Sequence, residues 1–547
     1  MARPTRRAIV KTAAALTAGA MIPREMYGQV ESLGREFVDA PTTRAAGKGL
    51  TLRLREADGS LLDRERARTI TVRDMHGDPL PVGIDLSPGV ATVALPKEPV
   101  QITIRLKIPG FGEVYCYADN GGAGYAEAKE VQFVLEAAKT RLARVEESLK
   151  KGQDEGVVLP ESFQKDLEGA RSSVRQGYSS LAQSMRAGEM LALERARHRI
   201  EKMAGPRKEF LFGCMVAGYD SSPKYNKAIE DAYNYATVAW YTWKMEQPPE
   251  QRIDYGRMDG SINWCLKRGI VPKTFAYTYM ARGATPEWIR PADAATRATK
   301  GSVFNERWGY EQLLALYKQV DEQTARRYAG KPVPVIEVIN EAHDKANLWR
   351  MNHQQILEMT RESCAAVRRG NPTIRRQINH CCLWGEYAKE RNWDGSRRWT
   401  PYTYLKDCLA HGVEFEVVGL QLYYPQYDLF EIDRMLERFA DFGKPCQITE
   451  CATQSEDGPD LASMRPRTPT PGWHGPWNET MQADWLEGIY TLCYSKPHFE
   501  AVGWWDMADA GGHFWPFGGV LRKDLSPKES YMRLLALQKK WGVGKSA

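Results

Sequence analysis

Hydrophobic and polar positions alternate with a period of two in residues 48–125. The alternation is clear at residues 50–54, 70–72 and 100–104, and turn-forming clusters such as residues 57–59 separate these runs. This pattern is typical of strands with one buried face. We therefore predict a small antiparallel β-sandwich, which has either a carbohydrate-binding role or the role of a spacer or docking domain.

The period becomes helical in residues 126–205. Hydrophobic residues recur every three or four positions in two long runs, and a break at residues 152–159 separates the runs. Such spacing places the hydrophobic side chains on one face of each helix. The pattern predicts a helical hairpin whose hydrophobic stripe is a packing surface and not a cofactor site.

Short hydrophobic runs alternate with helical segments in residues 206–547. The runs that we predict as strands are residues 211–216, 236–240, 274–279, 333–340, 375–379, 416–422, 445–449 and 501–505. Eight strands with intervening helices are typical of a (β/α)8 TIM barrel, so the predicted fold class is α/β. A doubly wound open sheet is the alternative, but no glycine-rich phosphate-binding turn follows the first strand.

Composition excludes several classes of protein. The chain has 547 residues, of which 43% are hydrophobic, and this fraction supports a large core and excludes a disordered chain. Lys and Arg number 75 against 69 Asp and Glu, so the net charge of +6 is small for this length. A nucleic-acid partner is not expected, because such proteins carry a denser basic field. The 16 Trp and 25 Tyr suit sugar rings as well as cores.

The first 29 residues have the pattern of an export signal. Arg6 and Arg7 precede a short hydrophobic run at residues 12–22, and residues 18–20 supply a small-residue cleavage site. This resembles a bacterial twin-arginine signal, so we expect a periplasmic or extracellular protein. The alternative is the basic start of an ordinary helix. The run is too short to span a bilayer, and no membrane partner is expected after its removal.

The ten cysteines give no framework of disulfides or metal ligands. Their spacing contains no C-x-x-C motif, and disulfide pairing stays open. Three adjacent residues, His380, Cys381 and Cys382, could be a metal cluster. Adjacent ligands point in different directions and no second pair lies nearby in sequence, so we predict no metal. We expect no cofactor either.

Two glutamates stand at the ends of two predicted strands. Glu341 follows residues 333–340, and Glu450 follows residues 445–449. In a TIM barrel the chemistry lies at the carboxyl ends of the strands, where the fourth and seventh strands would bring these two carboxylates together. One carboxyl group that stays protonated beside one that stays ionised is what glycoside cleavage requires. The alternative for either residue alone is a salt-bridged position on the rim.

At these motifs residues 208–541 resemble glycoside hydrolase family 10, the family of retaining endo-β-1,4-xylanases. Residues 338–342 match its acid/base strand, and residues 448–450 match its nucleophile strand. Further similarity lies in the sixth strand, after the third strand, after the eighth strand and near the C-terminus, at residues 418–421, 285–288, 505–509 and 525–531.

The resemblance implies roles for particular residues. Glu341 would protonate the leaving oxygen and later activate water, and Glu450 would attack the anomeric carbon. Asn340 would bind the 2-hydroxyl of the sugar. Three further residues would orient the carboxylates or form the floor under the cleaved sugar, namely Asn379, Gln421 and Trp505.

The chain departs from the family where the family binds the glycone sugars. Tyr277 replaces a third-strand His, Tyr423 replaces the His of a sixth-strand Gln-x-His, and Ala281 and Arg282 replace a Trp-His pair. A tyrosine hydroxyl can still hydrogen-bond a nucleophilic carboxylate. The acid, Asn and Lys after the second strand align with Ala239, Trp240 and Trp243, although a shift would bring in Lys244 or Glu246.

These observations favour a secreted retaining β-glycanase whose partner is a plant-type polysaccharide, with xylan as the family default. The changed positions predict weak activity on plain linear xylan and better activity on a decorated, acidic β-glycan that Arg282 would bind. The alternative is that Lys244 and Glu246 take the family's usual positions in the glycone site, and that plain xylan is the best substrate. Two other functions stay open, a non-catalytic glycan-binding protein that retains the barrel and a related β-glycosidase acting on another substrate.

Overall fold

The computed structural model describes residues 49–216, 219, 222–238, 253–291, 301–344, 346–457, 471–509 and 517–545. The predicted export signal at residues 1–29 lies outside these residues, as do Ala239, Trp240, Trp243, Lys244 and Glu246. No helix in the described ranges is both long enough and hydrophobic enough to cross a membrane.

The N-terminal sheet domain, residues 49–132, consists of two small sheets. Its strands are β1 (Gly49–Arg53), β2 (Thr71–Asp74), β3 (Ile84–Ser87), β4 (Val90–Ala94), β5 (Val100–Ile108), β6 (Gly112–Ala118) and β7 (Glu130–Gln132), with one helical turn, α1 (Arg64–Ala67). One sheet has the order β3-β4-β1-β7 and the other the order β2-β5-β6. The predicted small sheet domain is therefore present. It extends beyond residue 125, because β7 pairs with β1, and this pairing is parallel.

The helical block contains three helices, α2 (Phe133–Asp154), α3 (Glu161–Ser172) and α4 (Tyr178–Glu201). Helices α2 and α4 pack against each other and form the predicted hairpin, and α3 packs on α4 as an additional element. The second predicted run is thus not one helix. It is divided before Tyr178, where Gly177 has φ = +53°, a conformation that glycine adopts more readily than other residues.

Eight parallel strands close into a barrel in the order of the chain. They are β8 (Leu211–Met215), β9 (Tyr235–Val238), β10 (Val271–Thr274), β11 (Val335–Asn340), β12 (Arg375–His380), β13 (Val417–Tyr423), β14 (Cys446–Ala452) and β15 (Phe499–Trp504). The main helices around them are α5 (Pro223–Ala232), α6 (Gly256–Leu266), α7 (Tyr310–Arg327), α8 (His353–Gly370), α9 (Pro401–Ala410), α10 (Leu429–Arg438), α11 (Glu479–Tyr494) and α12 (Glu529–Trp541). This confirms the predicted (β/α)8 barrel.

The third barrel strand differs from its prediction. It covers Val271–Thr274, whereas the predicted strand was residues 274–279. Residues 275–279 are rich in aromatic side chains, which favour strands. At the barrel mouth residues 275–279 are not part of the regular strand, although the Tyr277 and Thr278 amides still donate hydrogen bonds to carbonyls of strand β11. The other seven predicted strands overlap the observed ones.

The N-terminal sheet domain packs against the loops that follow β12 and β13. The buried guanidinium of Arg73 donates to the carbonyl of Trp384 at 2.6 Å and to the hydroxyl of Tyr427 at 3.1 Å. The Tyr115 amide donates to the carbonyl of Gln426 at 3.0 Å. Because loops after barrel strands lie on the carboxyl-terminal face, this domain is docked beside the barrel mouth.

Candidate active site

Glu341 and Glu450 lie at the same end of the barrel. Glu341 immediately follows β11, and Glu450 lies near the carboxyl end of β14, so the fourth and seventh strands carry the two carboxylates. Glu341 has φ = +54°, a region that non-glycine residues rarely adopt and that costs conformational energy. Its amide bonds to the carbonyl of Asn379 at 3.0 Å, which holds the backbone in this conformation.

The Glu341 carboxyl group accepts two hydrogen bonds. Gln421 Nε2 donates to Oε1 at 2.8 Å, and the Tyr279 hydroxyl donates to Oε2 at 2.9 Å. The side chain keeps partial contact with solvent, but the surrounding protein removes enough water to raise its pKa to about 7. The hydrogen bonds from Gln421 and Tyr279 oppose that rise. A carboxyl group with this pKa can hold a proton near neutral pH and release it during a reaction.

Glu450 is more deeply buried, with 4% of its surface exposed. The Tyr423 hydroxyl donates to Oε2 at 2.7 Å, and Asn379 Nδ2 lies 3.4 Å from Oε1. Burial and the nearby carboxylates of Glu341 and Glu337 raise the pKa of Glu450. The hydrogen bond from Tyr423 and the positive charge of Lys273 oppose this rise.

Amide side chains connect the two carboxylates. Gln421 Nε2 lies 3.3 Å from Asn340 Oδ1, and Asn379 Nδ2 lies 3.1 Å from the same oxygen. The Thr449 hydroxyl donates to Asn379 Oδ1 at 2.6 Å, which fixes the orientation of that amide. The structure thus brings together Asn340, Asn379, Gln421 and Tyr423 around the two glutamates.

An aromatic cluster lies beside the carboxylates. Trp505 follows β15 directly and packs with Phe275 at a ring-centroid distance of 5.7 Å. Met215 and Ala276 complete this small cluster, and Tyr279 and Tyr423 contact it. Trp505 therefore shares a hydrophobic surface with the two tyrosines that hold the carboxylates, although only 6% of Trp505 is exposed.

The position of Tyr277 does not fit its predicted role in substrate binding. It belongs to the main hydrophobic core, and its hydroxyl lies near Thr274 and Asp321 on the helix side of the barrel wall. The tyrosine that reaches the site is Tyr279, two positions later. Residues 275, 277 and 279 are all aromatic and would share one face of a regular strand, so the displaced third strand made Tyr277 appear equivalent to Tyr279.

Two further residues of the site, Lys273 and Glu337, were not predicted. Lys273 Nζ lies 2.6 Å from Glu337 Oε2, and both side chains are fully buried within the barrel. Each stands in the middle of a hydrophobic run, Lys273 in VPKTF and Glu337 in VIEVI. A charged residue inside such a run is a signal of a buried pair, since an unpaired buried charge is costly.

The described residues include one group with the spacing of metal ligands. The ligand atoms of Asp344, Cys381 and Cys382 lie within 4.8 Å of one another. The ligand atoms of these two adjacent cysteines therefore lie close together, and the prediction that they point in different directions is wrong. The Cys381 thiol already bonds to the Asp344 carboxylate at 3.7 Å. We assign no metal to this group, and the absence of a metal or cofactor stays a prediction.

Comparisons with known proteins find similarity in the barrel part of the chain. The sequence model of glycosyl hydrolase family 10 matches residues 202–531. No curated protein sequence matches the chain. Among solved structures, xylanase 10B from Thermotoga petrophila in complex with xylobiose is 16% identical, with a TM-score of 0.46, and the match covers 63% of this chain and 98% of that one.

Two other solved structures are similar to the same part of the chain. Native xylanase 10B from Thermotoga maritima is 17% identical with a TM-score of 0.46, over 63% of this chain and 99% of that one. Xylanase XynB from Paenibacillus barcinonensis is 19% identical with a TM-score of 0.43, over 61% and 98%. The family match covers more than half of the sequence and includes both glutamates. The chain therefore belongs to glycosyl hydrolase family 10 and is a glycoside hydrolase.

Proposed function

We propose that this protein is a retaining endo-β-1,4-glycanase that hydrolyses a xylan-type plant polysaccharide. The observation that supports this most directly is the pair of carboxyl groups, Glu341 and Glu450, joined through amide side chains at the barrel mouth. The resemblance at the sequence motifs implies xylan as the substrate and retention as the stereochemical outcome. In retaining glycosidases the two catalytic carboxyl groups lie about 5–5.5 Å apart.

The two carboxyl groups have different surroundings, which assigns their roles. Glu450 receives a tyrosine hydrogen bond at 2.7 Å and is influenced by the positive charge of Lys273. Negative neighbours raise the pKa of both groups, Glu341 and Glu337 for Glu450 and Asp344 and Glu337 for Glu341, but the cation Lys273 counters this effect at Glu450. Two coupled carboxyl groups lose their protons in separate steps. We infer that the first charge resides on Glu450 and that Glu341 keeps the proton.

In the first step Glu450 attacks the anomeric carbon of the sugar. The bond from that carbon to the leaving oxygen breaks, its electron pair goes to that oxygen, and the proton of Glu341 neutralises it. The product is a glycosyl ester on Glu450 and a free sugar hydroxyl. Asn340, directly before Glu341, would bind the 2-hydroxyl, a contact that strengthens as the transition state forms.

In the second step water replaces the ester. Glu341, now ionised, removes a proton from water as its oxygen bonds to the anomeric carbon, and the ester bond to Glu450 breaks. Glu341 has regained its proton and Glu450 its negative charge, so the enzyme returns to its starting state. Two inversions at one carbon give net retention. Trp505 would stack beneath the sugar ring during both steps.

The deciding experiment follows the stereochemistry of the first product. The purified protein is incubated with xylo-oligosaccharides and a panel of other β-glycans, and the anomeric proton of the released reducing end is followed by NMR. We expect release of shorter internal fragments whose first anomer is β. Early release of the α anomer would reject the retaining assignment. Binding without release of reducing sugar from any β-glycan would support the non-catalytic alternative.

We also infer export by the twin-arginine route, from Arg6 and Arg7, the hydrophobic run at residues 12–22 and the cleavage site at residues 18–20. The receptor for this route reads the arginine pair and not charge as such. Replacing both residues by Lys, which keeps the charge, is expected to leave the protein in the cytoplasm. The measurement is the fraction of protein in the periplasm and medium, with a single Lys11→Arg variant as control. Unchanged export of the double variant would reject this inference.

A further inference from the structure

A column of polar side chains fills the barrel below the two catalytic carboxylates. Its members point inward from six strands and are Tyr235, Lys273, Glu337, Gln377, Asn379, Gln447 and Glu500. Barrel interiors are usually packed by layers of branched hydrophobic side chains. A buried polar network is costly unless each member has a partner. This column therefore needs a reason beyond filling space.

Hydrogen bonds run through the column without interruption. Lys273 Nζ bonds to Glu337 at 2.6 Å and to Gln377 Oε1 at 2.9 Å. Gln377 Nε2 donates to Gln447 Oε1 at 2.8 Å, and Gln447 Nε2 donates to Glu500 Oε1 at 2.7 Å. At its lower end the column meets solvent-accessible side chains, since Glu500 pairs with the partly exposed Arg375.

At its upper end the column touches the catalytic pair through one amide group. Asn379 Nδ2 lies 3.2 Å from Glu337 Oε1 and 3.4 Å from Glu450 Oε1. Glu337 is thus a third carboxylate, one side chain removed from Glu450. Lys273, which is fully buried, is the cation next to it.

We propose that Lys273 and Glu337 are positioning residues that set the protonation state of the catalytic pair. This rests on the proposed function, in which Glu450 must be ionised while Glu341 is protonated. With Lys273 positive and Glu337 negative, the buried group carries one net negative charge, which resides on Glu450. Without Lys273 the same state would carry two negative charges in a medium of low polarity, and a proton would be taken up.

The same geometry also orients Asn379. Its amide nitrogen faces Glu337 and Glu450 because its carbonyl oxygen is already occupied by the Thr449 hydroxyl. Lys273 fixes Glu337 from the opposite side. The pair therefore acts on Glu450 through charge and through the orientation of this amide. Burial raises the pKa of Glu337, and the charge of Lys273 and the hydrogen bond of Asn379 act against that rise and favour the ionised form.

The experiment measures kcat/KM against pH for four full-length variants, because this profile reports the free enzyme's essential acid and base. Lys273→Met removes the cation, so the acidic limb should move to higher pH by about one unit or more. Glu337→Gln removes a negative charge, so both limbs should move to lower pH. The double variant restores the net charge, and its acidic limb should return close to that of the wild type.

Arg375→Met is the matched control. It breaks the ion pair at the lower end of the column, so it is expected to lower the melting temperature without moving either limb. If all four variants lose activity at every pH while their limbs stay where they are in the wild type, the column is structural only and the proposal is wrong. If Lys273→Met fails to fold, Glu337→Gln and the double variant still decide the outcome. Failure of the proposed function would be recognised separately, by full activity of Glu450→Gln.

Discussion

Two regions of this molecule hold buried charges that are balanced differently. Where the helical block meets the barrel, opposite charges are paired: Arg141 with Asp428 at 2.9 Å and Arg144 with Glu431 at 3.3 Å. At and below the barrel mouth, the described residues include three carboxylates, Glu337, Glu341 and Glu450, and one lysine, Lys273, which pairs with Glu337.

This difference distinguishes buried charges that hold the helical block on the barrel from buried charges that take part in the reaction. At the interface each buried arginine pairs with a carboxylate, so these pairs can hold two parts of a protein together, although burial and the charges of Glu189 and Glu431 raise the pKa of Asp428 to about 6. A buried group with an excess of one charge must share protons, and such groups cluster at functional sites. Substitutions at the interface should therefore change the free energy of unfolding. Substitutions at the barrel mouth should change the rate of the reaction.

Removing either catalytic carboxylate should have the largest effect on the reaction. Glu341→Gln and Glu450→Gln keep the shape of the side chain but remove proton transfer or the nucleophile. We expect kcat/KM to fall by at least ~10²–10⁴-fold in each variant, with an unchanged circular dichroism spectrum. Glu414→Gln is the control, because its side chain is 78% exposed. Near wild-type turnover in either active-site variant would mean that the assigned residue is not catalytic.

A substitution where the helical block meets the barrel should lower the stability of the protein and leave kcat/KM nearly unchanged. Arg141→Met leaves Asp428 buried without its cation, and losing one partner of a buried pair costs about 3–5 kcal/mol. We expect the free energy of unfolding in urea at pH 7 to fall by roughly this amount. The kcat/KM of the folded fraction should change by less than about threefold, which corresponds to under about 1 kcal/mol.

The control for that measurement is an exposed pair in the N-terminal sheet domain. Arg53 and Glu130 form a salt bridge whose side chains are 44% and 57% exposed. Exposed pairs contribute about 0–1 kcal/mol, so Arg53→Met should change the free energy of unfolding by no more than that. Equal effects of the two arginine substitutions would contradict the view that the buried pairs hold the helical block on the barrel.

A buried carboxylate of α4, Glu189, also holds the helical block on the barrel. Glu189 accepts hydrogen bonds from the Leu429 amide at 2.9 Å, from Trp473 Nε1 at 3.0 Å and from His474 Nε2 at 2.5 Å. Burial opposes protonation of His474, but the hydrogen bond and the charge of Glu189 outweigh burial and raise its pKa. One helix therefore holds two of the loops that follow β13 and β14.

The barrel and its two glutamates could be predicted from the sequence, but the interface could not. Each barrel strand is a local hydrophobic run, and its position in the closed sheet follows from its order in the chain. The partners of Arg141 and Glu189 lie more than 200 residues away in sequence, so no local pattern identifies them. Tyr279 was not predicted for a different reason. The predicted boundary of the third strand was displaced, so Tyr277 appeared to hold the position that Tyr279 holds at the site.

The two tyrosines allow the catalytic carboxylates to be compared with each other. A donor to an ionised carboxylate lowers its pKa, so removing the donor raises it. Tyr279→Phe should raise the pKa of Glu341 above about 7 and move the alkaline limb of kcat/KM to higher pH. Tyr423→Phe should raise the pKa of Glu450 and move the acidic limb to higher pH. Each shift should be about one pH unit.

These two shifts distinguish the roles of the carboxyl groups. Activity requires Glu450 ionised and Glu341 protonated, so the first group defines the acidic limb and the second the alkaline limb. The pH profiles are measured on one xylo-oligosaccharide for the wild type and both variants. If Tyr279→Phe moved the acidic limb and Tyr423→Phe the alkaline limb, the assignment of acid and nucleophile would have to be exchanged.

The smallest expected effect concerns the choice of substrate. Arg282 lies at the start of a short helical turn after the third strand and is partly exposed. A guanidinium pairs well with a carboxylate, and Ala281 beside it has a short side chain. We expect higher kcat/KM on glucuronic-acid-decorated xylo-oligosaccharides than on plain ones. Arg282→Ala should reduce that preference by about 10-fold, which corresponds to roughly one charge-assisted hydrogen bond, while leaving turnover of plain oligomers unchanged. Plain oligomers turned over equally well or better by the wild type, with no effect of the substitution, would show that this position does not select acidic branches.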